Sequence, residues 1–232
     1  MADKETKTEE VKEEVPEPVS TEPKGAGLRF KKSRGVCRKC RRAGEKLFLK
    51  GERCFSAKCS YTRRSYIPGQ HGNKGMRRLS QYGLQLREKQ KLAVIYGLRE
   101  RQLLKYFAVA SHKKGKTGDI LMSLLERRLD NIVFRAGLSS SRREARQKVK
   151  IRKFLLNGRS IDIPSILVKK GDIISPKDAK KEKNEEKEQR ADLPKWIELN
   201  NKNQEIKIIR LPDRLDISEP INEQLVVEFY SK

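Results

Sequence analysis

Four cysteines, Cys37, Cys40, Cys54 and Cys59, fall within one short window, and the chain of 232 residues has no others. Their spacing, C-x2-C-x13-C-x4-C, makes two close pairs joined by a loop, which can bring four thiolates around one tetrahedral ion. The stretch from Arg41 to Arg53 is mostly basic and polar, so a metal would replace a core that this segment cannot build. Four unpaired thiols would be out of place there, because free cysteine usually sits among apolar neighbours. Two disulfides fit poorly, since the sequence opens without a secretory signal pattern. The expected cofactor is a structural Zn2+, and an iron–sulfur cluster on the same cysteines stays open as the alternative. Catalytic zinc usually keeps an open position and a histidine ligand, and the chain has only His71 and His112.

The charge around this motif points to its partner. Residues 29–115 carry 25 Lys or Arg against four Glu, an excess too large for internal ion pairs to neutralise. A domain so charged repels itself unless a polyanion screens it, and phosphate backbones supply that screening. Aromatic residues are interleaved with the cations: Phe48, Phe55, Tyr61, Tyr66, Tyr82, Tyr96, Tyr106 and Phe107. Some can stack on unpaired bases, while most are expected to fill a small core. A membrane-surface patch fits less well, because the cations surround a knuckle and loops rather than one amphipathic helix. No apolar run approaches the roughly 18 residues of a membrane span.

Residues 1–27 are acidic at the start, with eight acids and four bases over 1–24, and have almost nothing to bury, so they are expected to be disordered. Residues 28–119 should hold the knuckle and a helical domain. Within it, Ile67 to Gly75 is glycine-rich loop, and Ser80 to Ala110 has helical spacing broken near Gly97 into two helices. Lys113, Lys114 and Lys116 form a basic hinge. Residues 120–176 read as a second unit. Leu125, Leu129, Ile132, Val133 and Ala136 recur at helical intervals up to Gly137. Ser141-Arg142-Arg143-Glu144 then opens a basic helix with a capping-box pattern, turning Ala145 and Val149 inward. Asn157-Gly158 between Phe154-Leu155-Leu156 and Arg159-Ser160-Ile161 predicts a hairpin. Residues 177–192 make a charged linker with six bases and six acids. Over 193–232, Trp196 to Leu199 and Ile206 to Leu211 predict a hairpin around a core-anchoring Trp196, and alternating Leu225, Val227 and Phe229 predict a last buried strand.

The segment from Glu126-Arg127-Arg128-Leu129-Asp130-Asn131 through Gly171-Asp172-Ile173 resembles the small RNA-binding domain of the bacterial S-four family of small-subunit ribosomal proteins. The resemblance extends over roughly residues 28–232. It includes Gly44-Glu45-Lys46-Leu47-Phe48-Leu49-Lys50-Gly51-Glu52-Arg53, the Pro-Gly-Gln-His-Gly loop, Gln85-Leu86-Arg87-Glu88-Lys89-Gln90-Lys91-Leu92, and the closing Ile221 to Tyr230. The chain departs from the family pattern at Arg152-Lys153, where His-Gly is common, and in its acidic start. The resemblance implies an α+β protein: a mostly helical N-terminal domain with a metal knuckle and C-terminal strands that return to it, plus an inserted RNA-binding domain. It implies binding to a helix junction in the 5′ domain of small-subunit rRNA early in assembly, neighbouring small-subunit proteins as partners, a cytoplasmic ribosomal location and no membrane. It also implies that Lys74, Arg77 and Arg78 lie along the path by which mRNA enters, and that some members repress their own mRNA.

Candidate RNA contacts on both readings are Arg38, Lys39, Arg41, Arg42, Arg63, Arg64, His71, Lys74, Arg77, Arg78, Arg87, Lys89, Lys113, Lys114, Lys116, Arg127, Arg128, Arg142, Arg143, Arg146 and Lys148. The competing functions are a free RNA chaperone and an RNA-modifying enzyme with the same module, such as a pseudouridine synthase. Arg128-Leu129-Asp130 matches a fragment of that enzyme's motif, but no segment remains to build a catalytic domain, and no nucleophile, base and oxyanion donor converge. The expectation is a protein that binds and does not catalyse.

Overall fold

The computed structural model describes residues 35–74, 78–177, 193–200 and 203–231. The acidic start and the charged linker, save Lys177, lie outside those residues. The described chain is α+β, as expected. It runs α1 (Val36–Ala43), α2 (Ser60–Arg63), α3 (Gln81–Ile95), α4 (Glu100–Ser111), α5 (Thr117–Glu126), α6 (Leu129–Arg135), α7 (Arg142–Lys150), β1 (Phe154–Leu156), β2 (Arg159–Ser160), β3 (Ile173–Pro176), β4 (Ile197–Asn200), β5 (Glu205–Ile208) and α8 (Glu223–Tyr230).

The helix starts follow local chemistry. Ser80 Oγ accepts the Gly83 N–H at the start of α3, and Ser141 Oγ accepts the Glu144 N–H at the start of α7, each satisfying one of a helix's orphan donors. The capping box at α7 is displaced by one residue, because Glu144 reaches back to the Ser140 N–H (2.8 Å) and hydroxyl (2.5 Å). At the predicted hairpin, Asn157 and Gly158 have φ of 50° and 78°, the left-handed pair that joins twisted antiparallel strands most directly. Arg152 also takes a positive φ of 58°; its guanidinium is tied to Asp162 at 2.8 Å.

Two apolar clusters form. One gathers Leu92, Ile95, Leu103, Ala110, Leu121, Met122, Leu125, Ile217, Ile221 and Val226 from α3, α4, α5, α8 and the loop before α8. The other gathers Leu129, Ile132, Val133, Ala145, Val149, Phe154, Ile174, Trp196 and Ile206 beneath the sheet, with Trp196 as the anchor its sequence context suggested. This partition moves the expected domain boundary. The helical spacing that runs through Leu125 and Leu129 is broken between α5 and α6, where the Leu129 N–H bonds Ile166 O, the Asp130 N–H bonds Pro164 O, and the Val168 N–H bonds Arg127 O. Helix α5 belongs to the first cluster, so the second unit begins at residue 127 rather than 120.

Two expectations for the C-terminal piece are corrected. The 193–211 hairpin forms, as β4 and β5, but β5 pairs with β3 through Ile173↔Lys207 and Ile174↔Ile206. All five strands therefore make one antiparallel sheet, ordered β2-β1-β3-β5-β4, instead of the hairpin packing back on the first domain. The stretch expected as a last strand is α8. Asn222 Oδ1 accepts the Gln224 and Leu225 N–H groups, and the helix buries Val226 while laying Phe229 and Tyr230 beside Lys89 and Phe107. Three alternating apolar residues fit a strand, but Leu225, Val226, Phe229 and Tyr230 also share one helical face, and the cap decides between them. It is α8, against α3 and α5, that returns to the first domain.

The contact of α5 with α8 is close at Gly118, where an added Cβ would fall 2.8 Å from Glu223 Cγ and 3.1 Å from its Cβ. Gly118→Val is expected to lower stability by about 1–3 kcal/mol through overpacking; urea unfolding of the full chain measures it, and an unchanged midpoint contradicts the assigned contact.

Candidate nucleic-acid interface

Helix α1 carries Cys37 and Cys40 on its first turns, a 3-10 turn over Gly51–Cys54 ends on Cys54, and Cys59 stands at the start of α2. Cys40, Cys54 and Cys59 are buried and Cys37 is half-buried. Backbone donors converge on three of the sulfurs: Lys50 N–H on Cys54 Sγ at 3.4 Å, the Leu47 N–H on Cys40, and the Thr62 and Tyr61 N–H groups on Cys59. Burial pushes the Cys40 thiol up, whereas the Thr62 backbone bond leads in holding Cys59 below its usual value. Such N–H···S bonds stabilise thiolate, the form that binds metal. Among the described residues, no three Cys, His, Asp or Glu side chains stand arranged to hold an ion. Tyr61 OH closes this region by donating to Gly44 O at 2.5 Å.

Many cations of this region are exposed: Arg38, Lys39, Arg42, Arg63, Arg64, Lys74 and Arg78, as is His71; further along the chain Lys113, Lys114, Lys116 and Arg143 also reach solvent. Arg77 lies outside the described residues. Arg41 has its guanidinium over the Tyr66 ring at 4.6 Å and its Nε donating to Tyr66 O. A cleft of about 800 Å³ opens between α1, the loop at Pro68-Gly69 and α3. Its lining combines Arg38, Lys39, Arg41, Arg42 and Arg87 with Leu47, Leu79, Leu86 and Val94. A lining that mixes apolar and cationic side chains suits a nucleotide's ring and phosphate together.

Six of the expected RNA contacts also make bonds within the protein. Lys89 is buried, paired with Glu100 at 2.9 Å and lying over the Phe229 ring at 4.2 Å. Arg128 is buried, bonded to both Asp130 oxygens and to Tyr106 OH at 2.6 Å. Arg146 joins the same carboxylate at 2.6 Å and donates to Gly97 O at 2.7 Å. Arg142 bonds Asn131 Oδ1 at 2.7 Å and Glu219, and lies over the Phe134 and Tyr96 rings. Arg127 donates to Val168 O, and Lys148 bonds Leu138 O while pairing with Glu144. A count of cations could not separate these from the exposed ones, because the partners lie elsewhere in the chain or on its backbone: Asp130 for Arg128 and Arg146, Glu219 for Arg142, Glu100 for Lys89, Glu144 and the Leu138 carbonyl for Lys148, and the Val168 carbonyl for Arg127.

Glu126, Asp130 and Glu219 make a network, buried at Glu126 and Asp130 and half-buried at Glu219, that sequence reading missed. Glu126 accepts from Tyr96 OH (2.5 Å), Asn131 Nδ2 (2.7 Å) and Arg135 (2.9 and 3.0 Å). Arg135 also pairs with Glu219, which Arg142 grips from the other side. Burial pushes the Glu219 carboxyl up, but Arg142 and Arg135 outweigh it and hold the group below the ordinary carboxylate value. Burial and the Glu126 charge push Tyr96 well above the usual tyrosine value, so its hydroxyl stays a donor. The only hint in sequence was Glu126 following Leu124-Leu125 and Asp130 following Leu129, acids on otherwise apolar runs.

The comparisons with known proteins fit this division. Residues 31–126 match the ribosomal protein S4/S9 N-terminal domain, and residues 127–174 match the S4 domain, with the junction where α5 ends. The small ribosomal subunit protein uS4 of Ruminiclostridium cellulolyticum is 51% identical over 201 residues, covering 84% of this chain and 96% of that protein. The same protein of Acetivibrio thermocellus is 52% identical over 201 residues, with the same coverage. That of Thermodesulfovibrio yellowstonii is 51% identical over 203 residues, covering 85% and 97%. The two matched domains thus mark a two-part protein of ribosomal type that contains an S4 domain. The chain belongs to the small ribosomal subunit protein uS4 family, a family of structural proteins rather than enzymes.

Asp130→Ala removes the acceptor shared by Arg128 and Arg146 and leaves a buried guanidinium without its charge partner. It is expected to cost about 3–5 kcal/mol, read from guanidinium unfolding; a loss below about 1 kcal/mol, the scale of an exposed pair, contradicts the network's structural role.

Proposed function

We propose that this chain is a structural constituent of the small ribosomal subunit that binds small-subunit rRNA at a helix junction in the 5′ domain, early in assembly. The observation that carries the reading is the set of exposed cations Arg38, Lys39, Arg42, Arg63, Arg64, Lys74 and Arg78. All reach solvent, and among the described residues none is in an ion pair, while the inner arginines are matched to carboxylates. Phosphates are the counterions that this set lacks. Lys74, Arg77 and Arg78 lie, on this reading, beside the path of incoming mRNA, and neighbouring small-subunit proteins cover further surface, on ribosomes in the cytoplasm. No helix among the described residues is long and apolar enough to cross a membrane. The fragment Arg128-Leu129-Asp130 supports no enzyme, because Asp130 is buried between two arginines.

Competition binding tests the reading. The full chain should prefer a 5′-domain junction transcript over scrambled structured RNA of equal length, and keep that preference at high salt. Equal binding that collapses with salt would leave a general RNA chaperone. Arg38→Ala with Arg42→Ala should reduce the slope of log K against log salt by about two, one for each phosphate no longer neutralised.

Cys37, Cys40, Cys54 and Cys59 hold a structural Zn2+ in this proposal, with an iron–sulfur cluster as the alternative. The support is their spacing and the backbone donors on Cys40, Cys54 and Cys59. When bound, the metal cross-links α1 to the segment that enters α2. Elemental analysis should find one zinc per chain, absent from Cys40→Ser. Chelation should speed proteolysis within residues 36–60 and weaken junction binding, and a metal-free protein unchanged in both would refute the assignment.

A further inference from the structure

The cysteine region also presents two aromatic rings outward. Phe48 lies between buried Leu47 and half-buried Leu49, and Phe55 follows Cys54 directly. Their ring centroids are 5.0 Å apart with planes 29° from parallel. Phe55 is 73% exposed and Phe48 44%, so neither is filling a core. Phe48 has φ of 45°, a conformation that costs a non-glycine residue energy and persists where the surrounding structure imposes it. The flanking Leu47 and Leu49 pack inward, and that strained turn is what leaves the Phe48 ring outside.

We propose that Phe48 and Phe55 form a stacking platform for an unpaired base of the bound RNA. The surrounding charge selects the ligand. Lys46, Lys50, Arg53 and Lys58 are exposed, and among the described residues none of them is in an ion pair. Of the two nearby acids, Glu45 is paired with Lys91 at 2.7 Å, which leaves Glu52. An apolar face ringed by cations favours a ligand that is flat, aromatic and anionic at its edges, which describes a nucleotide. A base within a duplex has both faces covered, so the ligand is a nucleotide outside a helix, as junctions provide. The base would extend the two-ring stack from its open side while lysines meet its phosphates. The inference rests on the RNA-binding reading and adds a contact that is not electrostatic.

The test measures the full chain against an oligoadenylate single strand, a blunt-ended two-strand RNA duplex with no unpaired nucleotides and the junction transcript. Phe55→Leu and the Phe48→Leu/Phe55→Leu pair should bind oligoadenylate about tenfold more weakly, the scale of one stacked base, and should weaken on the junction too. Duplex affinity and the salt slope should not change, because every phosphate-binding cation is kept, and Phe55→Trp should retain binding. Unchanged oligoadenylate affinity in Phe55→Leu would overturn the proposal. So would an equal loss on the duplex, which marks a fold defect that the highly exposed Phe55 alone should not cause. Intact RNA binding with failed co-purification of small-subunit proteins would overturn it in favour of a protein contact. Failure of the unaltered protein to prefer the junction would count against the ribosomal reading instead, leaving the oligoadenylate comparison to judge the platform.

Discussion

Three carboxylates, two buried and one half-buried, organise this protein. Glu126, Asp130 and Glu219 come from the end of α5, the start of α6 and the loop before α8, and the arginines that satisfy them come from α6, α7 and the 127–128 break. Burying an ion is costly unless it is paired and fully hydrogen-bonded, and removing one partner exposes the whole cost. The network therefore tolerates one arrangement of its parts. Tyr96 and Gly97, at the end of α3, contribute a hydroxyl and a carbonyl to the same set, so the helical domain and the S4 domain are joined by directional bonds and not by apolar contact alone.

That joint explains how a chain with 55 Lys and Arg sorts its charge. Arginines near the carboxylates are drawn inward, where the planar guanidinium makes several bonds at once, as Arg128 does with Asp130 and Tyr106. The cations of α1, α2 and the following loop have few acids within reach and stay in solvent. The exposed cations are what remains after the interior has taken its arginines.

Much of this was legible in the sequence. The Asn157-Gly158 hairpin, the α7 cap at Ser141, the inward Ala145 and Val149 and the anchoring Trp196 all follow from local rules, and the structure bears each of them out. The α5–α6 break was not legible, because its cause is the pairing of residues 127–130 with 164–168, a contact about 40 positions away in sequence. Nor was α8, whose few apolar residues satisfy both periods until Asn222 is seen capping them. Lys89, Arg128 and Arg142 look like any other cations in a basic chain; only their acid and aromatic neighbours in space show that they belong inside.

The pairing of β3 with β5 has a consequence for the order in which the molecule can form. A chain emerging from its N-terminus completes β1, β2 and β3 early, yet the outer edge of β3 stays open until residues 205–208 arrive to cover it. The face of α3 and α5 likewise waits for α8 at residues 223–230. Both halves are thus closed by residues 205–230, and a chain lacking them carries an unpaired strand edge and an uncovered apolar helix face at the same time. The fold therefore closes only once residues 205–230 have joined the elements made before them.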